Sequence, residues 1–188
     1  MNEAASAGST DTAILGGGCF WCLEAVFNRV EGVVRVEPGY AGGHVDNPGY
    51  KQVCAGQTGH AEVLRITFET ATVDLAGLLD VFFALHDATT ENRQGNDVGP
   101  QYRSVIFCRD AAQAETSRAV IARLTAGNTF AAPIVTRVEG PVHFWPAEDY
   151  HFNYYEYNPM QPYCMAVVAP RVDKLRRLFP HRTKTSVR

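Results

Sequence analysis

The chain has 188 residues, enough for one domain with a real core, and 46% hydrophobic against 20% charged residues is an ordinary globular balance. A formal net charge of −3 argues against nucleic-acid binding, and no run of about 18 apolar residues is present that would span a membrane. The first twelve residues carry no basic side chain and no apolar run, so no secretory leader is read. Five cysteines in no regular framework then point to cytoplasmic thiols, reactive or buried, rather than to structural disulfides.

Ala13 to Leu15 reads as a strand that ends in the turn Gly16-Gly17-Gly18. Cys19 to Val30 reads as a helix, because Leu23, Val26, Phe27 and Val30 recur at helical spacing and Gly32 follows. Val33 to Val36 is a second strand, and Pro38 to Gly49 reads as loop. Tyr50 to Ala55 makes about one helical turn, and Ala61 to Phe68 alternates as a strand. Asp74 to His86 is an amphipathic helix with Leu75, Leu78, Leu79, Phe82 and Phe83 on one face. Asp87 to Gln101 is a long polar loop of the kind that is usually functional or disordered.

Tyr102 to Cys108 is a strand, Ala111 to Ala126 a helix and Pro133 to Val138 a strand. An aromatic-rich run, HFWPAEDYHFNYYEYN, follows. Two prolines keep NPMQPYC irregular, and Val172 to Phe179 closes with a short helix. The order predicts an α+β fold: a ferredoxin-like, split βαβ mixed sheet with flanking helices and a long irregular C-terminal stretch. A flexible tail is expected over 1–11, one domain over 12–180 with an irregular arm over 154–169, and a basic tail over 181–188. From 171 onward seven Lys or Arg residues face Asp173 alone, which reads as a solvated helix and a frayed end.

The stretch GGGCFWCLE sets Cys19 and Cys22 three apart at the start of a helix. There, unpaired N–H groups and the helix dipole favour thiolate, so the Cys19 pKa is expected to fall. Three readings compete. A zinc site needs a second short-spaced ligand pair, which Cys54, Cys108 and Cys164 do not supply. A dithiol fits the i, i+3 spacing, but Phe20 and Trp21 are poor filling for a disulfide that partners must reach. A lone nucleophile, Cys19, with those aromatics as an apolar wall, is the third. Glu62 beside His60, together with Tyr50, Asp97 and Tyr102, favours the third. One thiol, a carboxyl and phenols suit attack on a weak electrophile whose oxygen must be protonated.

GCFWCLEAVF, GYAGG, NPGYKQVCAGQTGHAEV, HDATTENRQGNDVGPQYRSVIF, PAEDYHFNYY and NPMQPYC occur in order from about residue 12 to 180. Together they resemble the peptide methionine-S-sulfoxide reductases of the A class. The resemblance implies that Cys19 is the nucleophile, that Phe20 and Trp21 receive the S-methyl group, and that Glu62 protonates the sulfoxide oxygen. Tyr50, Asp97 and Tyr102 would hydrogen-bond that oxygen. A carboxyl in an apolar pocket keeps its proton at neutral pH, which fits the part given to Glu62.

Cys164 would condense with the Cys19 sulfenic acid as the resolving thiol, with Cys22 as the alternative, and thioredoxin would reduce the disulfide. The substrate would be free methionine sulfoxide or oxidised proteins; no cofactor and no metal is implied, and a monomer is expected. Cys54 and Cys108 read as buried or incidental. Cys22 stands where many members have Gly, Phe152 where Gln is common, and Pro100 where Thr is common. Cys164 is the one cysteine of the C-terminal stretch, so a disulfide relay through the tail is not available. The rival function is a thiol-disulfide carrier using Cys19 and Cys22.

Overall fold

A computed structural model describes residues 9–186. Six strands form one sheet. In chain order they are β1 (Thr10–Gly16), β2 (Val33–Ala41), β3 (Ala61–Glu69), β6 (Val105–Phe107), β7 (Arg137–Glu139) and β8 (Phe144–Pro146), with β4 (Arg93–Gln94) and β5 (Asp97–Val98) pairing separately. Across the sheet the order is β7-β6-β1-β3-β2-β8. Within the central four, β6-β1-β3-β2, each strand is antiparallel to the next, and together they make the expected split βαβ, ferredoxin-like core. β7 adds in parallel at one edge and β8 antiparallel at the other.

The period-2 alternation of β3 divides its side chains. Glu62, Leu64, Ile66 and Phe68 share one face, and Leu64, Ile66 and Phe68 join the main core. Helices α1 (Phe20–Phe27) and α3 (Leu75–Leu85) fill that core with Leu23, Val26, Phe27, Leu78, Leu79 and Phe82, none of them exposed. Each such side chain is worth about 1.5–3 kcal/mol of burial. The other face, Ala61 and Val63, packs in a smaller cluster with Val105, Phe107 and Phe144.

Several boundaries differ from the sequence reading. α1 stops at Phe27 rather than Val30. β2 continues through Pro38 to Ala41, where a loop was expected. The strand tolerates Pro38 because this residue faces past the end of β8: its carbonyl accepts from Ala147 N–H (2.9 Å), just beyond that strand, so no ladder donor is missing. The expected strand 102–108 shrinks to β6, with Tyr102 closing a tight turn, Pro100–Tyr102. The strand expected over 133–138 sits at β7, Arg137–Glu139.

The expected irregular arm is largely helical. α5 spans Tyr154–Tyr157, and a wide π turn, Cys164–Val168, runs directly into α6 (Ala169–Leu178). The wide turn has a cause. Pro170 has no N–H and its ring would collide with the carbonyl four residues back, so the helix carries one extra residue before it. Ala169 N–H accordingly bonds back five residues, to Cys164 O.

Both ends are packed beyond the expected 12–180 domain. β1 begins at Thr10, while residues 1–8 of the expected tail lie outside the described residues. At the other end Thr183 bridges Val30, and Lys184 Nζ donates to Asn28 O (3.1 Å) and Val33 O (2.7 Å). A cation thus caps the C-terminus of α1, where orphan carbonyls and the dipole favour one. Among the described residues no helix is long and apolar enough to cross a membrane.

Candidate active site

The site is built where β1 hands over to α1. Gly18 takes φ +95°, and a Cβ there would come within 2.6 Å of the Gln94 side chain. The turn therefore presses against the long loop that carries Asp97, and Cys19 follows as the residue capping α1.

One hydrogen bond organises the chemistry. Phe20 N–H, an orphan donor of the first helical turn, donates to Glu62 Oε2 (3.0 Å) across 42 residues. Glu62 is 1% exposed, and its other oxygen, Oε1, is buried without a partner. Burial drives its pKa from 4.5 to about 8, so the carboxyl holds a proton at neutral pH.

The expectation for Cys19 is reversed. Its pKa lies well above the ordinary thiol value, because burial, reinforced by Cys22 and the Glu62 charge, opposes the thiolate. The helix start does not compensate, since the Phe20 N–H that would face a thiolate is given to Glu62. Cys22 takes the opposite course: its hydrogen bond from Cys19 lowers it to about 7 against its own burial.

Phe20 and Trp21 divide the wall unequally. Phe20 is 1% exposed and forms its floor, tilted on Tyr40 and stacked on Tyr50 at 6.3 Å between centroids. Trp21 is half-buried and lies flat on Tyr154, with centroids 3.7 Å apart at 5°. Its indole N–H donates to His151 Nδ1 (3.0 Å). Burial lowers the His151 pKa to about 4, which keeps that nitrogen an acceptor at neutral pH. The ring of His151 also packs on Phe20 and Tyr50.

Tyr50 opens the short helix α2 (Tyr50–Cys54), and its N–H donates to Glu148 Oε1 (2.7 Å), while Tyr40 Oη donates to Glu148 Oε2 (2.8 Å). Tyr50 and Tyr102 are half-buried phenols. Burial and then the Glu62 charge raise the pKa of both far above the usual phenol, so they remain hydrogen-bond donors. Asp97 Oδ2 accepts from Tyr163 Oη (2.7 Å), which stands 3.6 Å from Cys22 Sγ.

All five cysteines are free thiols, and Cys19, Cys22 and Cys164 share one buried cluster beneath Tyr102, Tyr154 and Tyr163. Cys54 is exposed, whereas Cys108 is buried against Ser117. His60 lies apart from the chemistry: its ring receives Gly43 N–H (3.0 Å) and meets Val45 O (2.7 Å), holding the loop after β2. Among the described residues no three His, Cys, Asp or Glu side chains converge as a metal site requires.

The sequence reading missed His151, Glu148, Tyr154 and Tyr163. Their signal was the aromatic run after Val142, which does not by itself say which ring meets Trp21. It also missed Glu24, 1% exposed, which accepts Asn153 N–H (2.8 Å) and Tyr154 N–H (3.3 Å) and so ties that run to α1.

Residues 11–183 match the family model described as peptide methionine sulfoxide reductase. The chain belongs to the peptide methionine sulfoxide reductase family. The peptide methionine sulfoxide reductase MsrA of Chromobacterium violaceum is 58% identical over 171 residues, covering 91% of this chain and 97% of its own. That of Trichodesmium erythraeum is 51% identical over 170 residues, covering 90% and 96%. Among solved structures, reduced Mxr1 from Saccharomyces cerevisiae matches with a TM-score of 0.75 at 33% identity, covering 85% of this chain and 91% of its own. Mxr1 solved in complex with Trx2 shares the fold at 22% identity and a TM-score of 0.53, covering 82% and 90%.

Proposed function

We propose that Cys19 and Glu62 carry out the reduction after which the family is named, acting on the S epimer of methionine sulfoxide. One observation carries this reading. The Phe20 N–H fixes a protonated carboxyl beside the Cys19 thiol and leaves its Oε1 unpaired, aimed at no group of the protein. A sulfoxide oxygen is the acceptor that such an acid suits.

In the proposed step the Cys19 sulfur attacks the sulfoxide sulfur while Glu62 passes its proton to the oxygen. Tyr50 and Tyr102 donate to the same oxygen, with Asp97 beside them. The S-methyl group rests on Trp21 above Phe20. The oxygen then moves to Cys19: its bond to the Cys19 sulfur forms as the methionine S–O bond and the transient S–S bond break, methionine leaves, a sulfenic acid remains on Cys19, and the thiol proton restores Glu62. Atoms balance without a cofactor. The Cys164 thiol then removes the oxygen as water and ends in a disulfide, which a thioredoxin dithiol reduces. The neighbour Mxr1 is solved with Trx2, which supports that choice of reductant.

The test is turnover of separate S and R epimers, free and within a peptide, with thioredoxin as reductant. The expected result is turnover of the S epimer alone. Undiminished S-epimer turnover by Cys19→Ser would overturn the reading, as would reduction of protein disulfides with no sulfoxide consumed.

A further inference from the structure

A second carboxyl of the site, Glu148, touches three of the groups that shape it. Glu148 stands just after β8 and opens the tight turn Asp149–His151, whose His151 N–H returns to the Glu148 carbonyl (2.9 Å). The two oxygens of its carboxylate have different partners. Oε1 accepts from the N–H of Tyr50 (2.7 Å), the first residue of α2, and Oε2 accepts from the Tyr40 hydroxyl (2.8 Å). Oε2 also faces His151 Nε2 at 3.5 Å.

The contact with His151 bears on where a proton sits. Burial keeps that ring neutral, with its pKa lowered to about 4, so it carries one N–H. Nδ1 accepts from the Trp21 indole (3.0 Å), which leaves the proton on Nε2. Nε2 is buried and has no hydrogen-bond partner among the described residues, and the Glu148 carboxylate is the negative charge it faces. Glu148 is ionised near neutral pH. Against its partial burial, the N–H groups of Tyr50 and of Glu148 itself and the Tyr40 hydroxyl hold its pKa below the ordinary carboxylate value. A proton moved to Nδ1 would set two N–H groups against each other, and Trp21 would lose its tie.

From this set of contacts we infer that Glu148 is a positioning residue for the reaction. It holds Tyr50 in place to donate to the sulfoxide oxygen, and through His151 it holds Trp21 as the wall for the S-methyl group. This rests on the sulfoxide-reductase reading above. Glu148 itself touches no reacting atom. The Tyr50 ring is wedged between Phe20 and His151, with centroids 6.3 and 4.5 Å away, so a shift at the start of α2 displaces its hydroxyl. Misplacing such a group by about 1 Å costs up to about 10²-fold in rate. The two carboxyls of the site thus act in opposite states: Glu62 keeps a proton to give, and Glu148 stays charged to hold its donors.

The experiment measures methionine formed in a single turnover of the fully reduced full chain, so that recycling does not limit the rate. Wild type, Glu148→Gln, Tyr50→Phe and the double variant are compared over a range of methionine S-sulfoxide concentrations. Glutamine keeps the shape of Glu148 but loses its charge and one acceptor oxygen. Glu148→Gln should lower the saturating rate by about 10–100-fold and raise the half-saturating concentration several-fold. In the Tyr50→Phe background the same change should lower the rate by less than about 3-fold, because the hydroxyl it aims is already gone. An equal loss in both backgrounds overturns the inference. So does a Glu148→Gln chain with the parent rate and half-saturation whose only change is a lower melting temperature. A second measurement stands even if Glu148→Gln folds poorly. In nitrogen NMR of the labelled wild type, the His151 ring, assigned by its absence from His151→Asn, should carry its proton on Nε2 near neutral pH. A proton on Nδ1 overturns the link from Glu148 to Trp21. Absence of methionine from the wild-type chain would instead fail the reductase reading itself.

Discussion

The two halves of the site are built differently. Cys19 caps α1 and Phe20 opens it, Glu62 stands on β3 in the middle of a six-stranded sheet, and the apolar side chains of α1 and β3 fill the main core. His151, Tyr154, Tyr163 and Cys164 stand on short helices and turns that meet α1 and the residues just after it through apolar packing and a handful of polar contacts: Glu24 to residues 153 and 154, Arg29 to Glu156, Trp21 to His151, and Cys22 to Tyr163. Bond making with substrate needs fixed geometry. Disulfide formation needs sulfurs that change partners. The difference fits the proposed division, with substrate chemistry on the sheet-borne half and disulfide exchange on the C-terminal helices.

The strongest test of the sheet-borne half is Cys19→Ser, which should leave no measurable sulfoxide turnover while circular dichroism stays unchanged. Glu62→Gln comes next. It should lower kcat by roughly 10²–10⁴-fold with a much smaller change in KM. In the parent enzyme the acid is active when protonated, so kcat should fall as pH rises through about 8, and that fall should vanish in the variant. A Gln variant with the parent pH profile would move the acid elsewhere.

Glu24→Gln probes the tie between the halves. Burial raises the Glu24 pKa from 4.5 to about 7, so the folded state holds a proton that the unfolded chain releases. Stability tied to this group is therefore fully present below about 4.5 and lost as pH rises to about 7. The urea midpoint of the parent should drop between pH 5 and 8, and the variant should drop less. Smallest is Lys184→Ala, which uncaps α1 at the end remote from the site. A loss of about 0.3–1 kcal/mol in a urea melt is expected. Turnover should stay at the parent level, because only the far end of α1 is touched.

Much of this was legible in the residues. The periodicities of 61–68 and 74–86 found β3 and α3, and the element order led to the split βαβ sheet. Of the expected site residues, each ordinary alone, Glu62 is bonded to the Phe20 N–H next to Cys19, Tyr50 stacks on Phe20, and Asp97 is bonded to Tyr163. What the sequence hid depends on contacts between distant segments. The rule that proline breaks a strand failed at Pro38, because β8, more than a hundred residues later, ends one residue short of needing its N–H. The expected acidity of Cys19 failed for a related reason: the donor meant for the thiolate is claimed by a carboxyl 42 residues away. His151 was invisible as the acceptor for Trp21, since that bond spans 130 residues.

The wide turn at Cys164–Val168 has a consequence of its own. One surplus residue in a helix is a dislocation, and a dislocation can move. Sliding it along the helix by one residue turns the residues it passes by about 100° around the axis while the rest of the helix keeps its pairing. Pro170 guarantees that the defect exists, because no N–H is available there to heal it. A side chain at the leading edge of that defect, as Cys164 is, can be swung between neighbours by a slip of register, with no helix melted to do it.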